Sequence, residues 1–288
     1  MIHASIETFL AAEGGALAKG PVAITLVEDL VAVPETLRHN IDRGFATLIV
    51  LAPDALVLPD DLAARVHRIR FDMRSPGALT RAVNPLIAAA PPGTWMHYGY
   101  NAEFLFHPFG ESRNVRELLT FHTEERRDAM LTYVVDLYAA DLAAHPDAVD
   151  LDRPMFDRTG YYALARVAPD GHHRERQMNC FGGLRWRFEE HVPAARRRID
   201  RISLFRARPG LQLADDHTFN DPEYNTYSCP WHHNLTAAVA SFRAAKALMS
   251  NPGSRAAISQ FTWANSQVFE WRSQQLMDLG LMEPGQWF

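Results

Sequence analysis

Cysteine is nearly absent: Cys180 and Cys229 are the only two in 288 residues. They are too few and too far apart for a disulfide framework or a CxxC-type zinc site, so buried free thiols are expected. No run approaches the ~18 apolar residues that a membrane-spanning helix needs. The first eleven residues also lack the basic start, apolar stretch and cleavage site of a signal peptide. A cytoplasmic protein without a transmembrane segment is therefore expected, with peripheral membrane association left open. Lysine is nearly missing too, because Lys19 and Lys246 are the only two and every other basic residue is arginine. The 29 basic residues against 34 acidic ones argue against a protein that coats nucleic acid. Gly-x-Gly-x-x-Gly, P-loop, Gly-x-Ser-x-Gly and His-Glu-x-x-His motifs are all missing, which removes the usual dinucleotide, NTPase, hydrolase and zincin readings.

What the chain does contain is alternation. Residues 21–27 form an apolar, β-branched strand ending at Glu28-Asp29, and Pro34-Glu35 starts a helix over 35–42 that Gly44 stops. Residues 45–51 read as a strand buried on both faces, Asp60-Asp61 cap a short helix, and 66–71 are a third strand. A helix over 78–90, closed by Pro91-Pro92-Gly93, leads to a strand over 94–106, a helix over 115–125 and a strand over 129–138. Residues 140–183 read as loops, a lid or acceptor-side insertion, and 235–249 and 255–279 read as helices. The expectation is a single α/β domain with a mostly parallel central sheet flanked by helices and a helical C-terminal segment. Ligands of such a sheet bind beyond the carboxyl ends of its strands, near Glu28, Asp29 and Asp54.

The order of these segments resembles the bacterial family-two glycosyltransferases of GT-A fold, a Rossmann-like architecture, over most of the chain. Residues 22–54 carry an apolar strand, an acidic pair, His39-Asn40, Gly44 and an aspartate turn, which in that family hold the nucleotide. The stretch WMHYGYNAEFLF (95–106) stands where the family has a strand ending in Asp-x-Asp-Glu-Phe. Glu103-Phe104 match its end, whereas Tyr100 and Ala102, flanking Asn101, replace the two aspartates. Those carboxylates hold Mn or Mg on the donor diphosphate in the family, and hard cations need such ligands; no metal cofactor is therefore implied with certainty. FGGLRWRF, RISLFRARPG and ADDH between 181 and 217, then Trp231-His232-His233 ahead of a helix with Lys246, complete the likeness. It splits the chain into a nucleotide-binding half of about 20–110 and an acceptor-side half of about 111–288.

The resemblance implies inverting transfer of a sugar from a nucleotide-sugar donor to a glycan or lipid-linked acceptor. That chemistry needs one base and one cationic clamp. Asp216 and Asp215 are the candidate bases, with Glu103 as competitor; paired acids are also ordinary in surface loops. Donor contacts fall to Glu28, Asp29, Asp54, Asn101, Arg187 and Arg206. Arg185, Arg187, Arg206 and Arg208 alternate on two expected strands and could replace a metal through bidentate phosphate binding, or be a solvated strand face. His217, His232, His233 and Trp231 are candidate acceptor or phosphate contacts, and His217 is the alternative metal ligand. Two rival readings stand beside transfer: a non-catalytic descendant that only binds a glycan or nucleotide, and another enzyme using the aspartate and histidine cluster around Asp216.

Overall fold

Successive parallel strands joined by helices account for the first hundred residues. In this computed structural model, which describes residues 2–227 and 234–287, the chain opens with β1 (Ile2–His3) and α1 (Ile6–Glu13). It continues through β2 (Val22–Leu26), α2 (Val33–Asp42), β3 (Thr47–Ala52), α3 (Asp60–Ala63), β4 (His67–Arg70), α4 (Ala78–Ala89) and β5 (Trp95–Tyr100). Every residue of β2 and β3 is buried, as apolar runs covered on both faces require. Val33, Thr36, Leu37 and Asn40 form the buried stripe of α2, the spacing of one helical face. Asp60 and Asp61 do not cap α3, since Pro59 occupies the cap without a side-chain bond; the two acids sit in its first turn, where the helix dipole favours them.

Beyond β5 the expected single strand over 94–106 breaks in two. Asn101 and left-handed Ala102 (φ 58°) separate β5 from β6 (Glu103–Phe106). A reciprocal Asn114–Glu117 capping box opens α5 (Val115–Glu124), and β7 (Ala129–Tyr138) follows. The stretch expected to be loops holds β8 (Met155–Asp157), β9 (Tyr162–Val167) and β10 (His173–Phe181). Arg185 and Arg187 stand on the short helix α6 (Gly183–Arg187), not on a strand. Of the other pair, Arg206 ends β11 (Asp200–Arg206) and Arg208 lies beyond it. The C-terminal part is not simply helical: β12 (Ala237–Ser241), α7 (Arg243–Ser250), α8 (Pro252–Ala257), β13 (Ser266–Val268) and α9 (Ser273–Asp278) share it.

The chain is thus α/β with a mixed, mostly parallel central sheet flanked by helices, and it divides into two units. The first comprises Met1–Leu105, Ser112–Leu131 and Ile202–Asn225. Its strands lie in the order β1-β4-β3-β2-β5-β11; all neighbours are parallel except β11, which runs antiparallel to β5. The second comprises Phe106–Glu111, Thr132–Arg201 and Thr226–Phe288. There β12 lies parallel to β7, β8 joins β7 and β13 antiparallel, and β9 and β10 form a hairpin. Among the described residues no helix is long and apolar enough to cross a membrane.

One packing detail of the first unit sets a pH limit. His122 on α5 is buried, its Nε2 lies 2.9 Å from the Ala129 carbonyl oxygen, and burial lowers its pKa from 6.5 to about 4. The folded state therefore keeps the imidazole neutral, and its stabilising contribution is intact above about pH 6.5 and lost as pH falls toward 4. At about 1.4 kcal/mol per pH unit that window spans roughly 3 kcal/mol. Urea midpoints measured between pH 7 and pH 4 are expected to fall less steeply in His122→Gln than in the parent; equal slopes would remove His122 as the cause.

Candidate functional site

In the first unit, β3 and β4 lie on one side of β2 while the chain returns to place β5 on the other. The carboxyl ends of β2 and β5 therefore flank the point where strand order reverses, the place where open α/β sheets bind ligands. Glu28 and Asp29 follow β2 there and are half-buried; Asn101 follows β5 and is fully buried. The Asn101 amide ties the two strand ends together. Its Oδ1 accepts from the Glu28 N–H at 2.9 Å, while Nδ2 donates to Asp29 Oδ1 at 2.7 Å and to the Val31 carbonyl at 3.0 Å. Asp29 Oδ1 also accepts from the Val31 N–H, folding the loop onto itself.

Ala32 (φ 53°), Ala102 (φ 58°) and His217 (φ 65°) hold left-handed backbone around this region. Each is a non-glycine residue in a conformation that costs free energy, the kind of strain that concentrates at ligand clamps. Glu103 is buried, and its Oε2 accepts from the Tyr100 N–H at 2.9 Å. That contact braces the turn between β5 and β6. His39 and Asn40 brace as well: the His39 ring lies 2.7 Å from the Leu105 carbonyl, and Asn40 reaches the Thr25 hydroxyl at 3.4 Å.

The Asp215–Asp216–His217 turn belongs to the same unit. His217 stacks on Tyr98 of β5, with ring centroids 5.9 Å apart and Nδ1 3.0 Å from the tyrosine oxygen. Tyr98 precedes Asn101 by three residues, about 10 Å along an extended chain. Asp215 and Asp216 are exposed, and Asp216 Oδ1 accepts from both the N–H and the hydroxyl of Thr218. The structure therefore places Glu28, Asp29 and Asn101 together, while Glu103 bonds the Tyr100 N–H beside Asn101 and the Asp215–His217 turn meets β5 at Tyr98.

The remaining candidates have other partners. Asp54 follows β3 but is exposed and pairs with Arg70 at 2.8 Å. Arg206 sits opposite Trp95, at the amino end of β5 and hence at the far end of that strand from Asn101; its guanidinium bonds Asp128 at 2.8 Å. Arg187 belongs to the second unit and is committed to Asp157. The expected alternation of arginines on two strands is thus not found. Trp231, His232 and His233 lie outside the described residues. At the positions of the family's paired aspartates, Tyr100 and Ala102 offer no carboxylate and the Asn101 amide is spent on Glu28, Asp29 and Val31. These residues do not fit a divalent cation.

The second unit holds a buried polar network of which Arg185 and Arg187 were singled out from the sequence. Asp157 accepts from Tyr138 Oη at 2.5 Å, Trp263 Nε1 at 2.7 Å and Arg187 Nη1 at 3.0 Å. Asp136, fully buried on β7, pairs with Arg185 Nε at 3.2 Å, and burial raises its pKa. A Cβ on Gly183, itself left-handed at φ +62°, would come within 2.9 Å of the Asp136 carboxylate, so only glycine fits that turn. The lone acid inside the apolar run YVVDLY was the available signal for Asp136. No protein-family model matches the chain, and no curated protein matches it either.

Proposed function

We propose that the chain is a glycosyltransferase that takes its sugar from a nucleotide donor bound over the ends of β2 and β5. The observation that carries this reading is the Glu28–Asp29 loop held by Asn101 at the reversal point of strand order. Carboxylates at such a crevice accept hydrogen bonds from ribose hydroxyls or base N–H groups. In the transfer step an acceptor oxygen attacks the anomeric carbon, the bond from that carbon to the diphosphate oxygen breaks, and the nucleoside diphosphate leaves. The hydroxyl proton passes to a carboxylate of the Asp215–Asp216 turn. Glu103, already engaged by the Tyr100 N–H, acts in this reading as a brace rather than a base.

The commitment of Arg206 to Asp128 and Arg187 to Asp157 favours one second reading, a protein that binds the donor without transferring its sugar. One experiment orders both. The thermal midpoint is measured with UDP, GDP, CMP and dTDP sugars, each with manganese and with a chelator. One donor at ~100 times its Kd is expected to stabilise by about 2.7 kcal/mol, a rise of several degrees, that survives the chelator and disappears in Asp29→Ala. Release of free nucleoside diphosphate with acceptor present then separates transfer from binding. No shift with any donor, or a shift unchanged in Asp29→Ala, would overturn the nucleotide site.

A further inference from the structure

A second constellation lies on the outer edge of the first unit's sheet, two and three strands away from β2. β1 and β4 are its last two strands and run parallel, with His3 beside Ile69. His3 is on β1, His67 is the first residue of β4, and Glu13 is the last residue of α1. The Glu13 carboxylate oxygen Oε2 lies 2.5 Å from His67 Nδ1 and 3.3 Å from His3 Nε2. All three ligand atoms fall within 4.8 Å of one another. Phe9, fully buried on α1, packs against both imidazoles at centroid distances of 5.3 Å and fixes their orientation.

From this geometry we infer that His3, Glu13 and His67 form a binding site for a zinc-like divalent cation. Two imidazoles and one carboxylate are a borderline donor set, suited to zinc rather than to magnesium or calcium. Tetrahedral zinc with bonds of about 2.0–2.1 Å sets its ligand atoms roughly 3.4 Å apart, close to the present 3.3 Å to His3 and wider than the 2.5 Å to His67. The His67–Glu13 contact would open by about 1 Å when an ion replaces the proton between them. Exposure is graded in the same sense: the His3 side chain is 4% exposed, Glu13 27% and His67 28%. One flank of the cluster is thus walled by Phe9 and the other is wet, leaving room for water as a fourth ligand. Glu13 also sits at the carboxyl end of α1, where the helix dipole disfavours an anion. Its ionised form is nevertheless held below the ordinary carboxylate range, first by the hydrogen bond from His67. A cation there would join β1 and α1, at the start of the chain, to β4, 54 residues beyond Glu13 and their neighbour at one edge. Because β4 and β1 stand two and three strands away from β2 in the sheet, the ion would act on folding rather than on donor binding.

The test is titration of untagged, chelator-stripped protein with zinc alone, followed by dialysis and counting of bound metal, with thermal midpoints in parallel. One equivalent per chain and a midpoint raised by a few degrees are expected. Glu13→Gln keeps the shape and the hydrogen bonds but removes the charge, and His67→Asn keeps a polar side chain of smaller size; each should weaken zinc binding at least tenfold. Cobalt in place of zinc should give visible absorption of a four-coordinate site in the parent and not in His67→Asn. Less than a fifth of an equivalent bound, or one equivalent retained at unchanged affinity in both variants, would overturn the proposal.

Discussion

Replacing Asn101 by alanine is expected to lower stability by about 3 kcal/mol and to abolish nucleotide-sugar binding together. The amide is fully buried and is the partner of the Glu28 N–H, the Asp29 carboxylate and the Val31 carbonyl. Alanine leaves each of them short of that partner. An orphaned donor or acceptor costs about 1–3 kcal/mol, and the low end applies here because Glu28, Asp29 and Val31 are only half-buried. The loss of binding follows from the loop, since the Glu28–Asp29 carboxylates no longer hold a fixed place over the strand end. Asn101→Asp separates the two effects. It keeps shape and the bond from the Glu28 N–H, but sets a second carboxylate against Asp29 at what is now a 2.7 Å contact. Two acids so close cannot both ionise, so one of them acquires a raised pKa. The folded state of that variant binds an extra proton, and its stability is therefore highest at low pH and declines as pH rises through the raised pKa. Denaturation midpoints at pH 5 and pH 8 are the check: a deficit of Asn101→Asp that is the same at both pH values would contradict the pairing.

How much of this region could be read from the sequence depends on which force dominates each segment. Val22–Leu26 and Thr47–Ala52 are legible because burial on both faces writes a continuous apolar run. The break at Asn101-Ala102 is not, because left-handed backbone at alanine carries no residue signature; tertiary bonds such as that from the Ala102 N–H to the Thr36 hydroxyl hold it. Residues 235–249 read as a helix because their apolar pattern has the length of one. Yet Ala237–Ser241 pairs with β7 and is buried throughout, a case of tertiary context overriding helix propensity. The β9–β10 hairpin was within reach, for Pro169-Asp170-Gly171 is a turn sequence between its strands, and the Ala168 N–H meets the His172 carbonyl oxygen at 2.8 Å.

The candidate site divides in the same way. Glu28 and Asp29 could be placed because a strand end is a local feature, and Asn101 because it stands where a family motif would stand. The partners of Arg206 and Arg187 are 78 and 30 residues away, and nothing in local spacing announces them. The same holds for His3, Glu13 and His67, which no short motif links. Arginine on a strand or helix is chemically ready for phosphate, but at Arg187 the buried Asp157 carboxylate takes precedence, because an unpaired buried charge is the costlier arrangement.

That cost sets the expected behaviour of Arg187. Its side chain is 12% exposed and that of Asp157 1%, and its guanidinium also bonds the Phe261 carbonyl and lies 4.7 Å over the Trp263 ring. Arg187→Met should destabilise the second unit by about 3–5 kcal/mol, because it leaves a carboxylate buried with only neutral donors, Tyr138 and Trp263. Asp157→Asn should cost a similar amount by stranding the guanidinium. The double variant removes both charges and keeps an oxygen for Tyr138 and Trp263, so its cost should fall short of the sum of the single costs by about 2–3 kcal/mol. Burial and the neighbouring Asp157 push the Tyr138 hydroxyl well above the ordinary phenol range, so it remains a donor throughout the neutral range and does not complicate the cycle. Of the five tryptophans among the described residues, four fall in the second unit, Trp95 being the exception. Urea unfolding followed by tryptophan fluorescence therefore reads the affected unit, and strict additivity of the two substitutions would show that Arg187 and Asp157 are not coupled. If the coupling is present and donor binding is unchanged in the double variant, Arg187 is a structural residue of the second unit and the leaving diphosphate is stabilised by other groups.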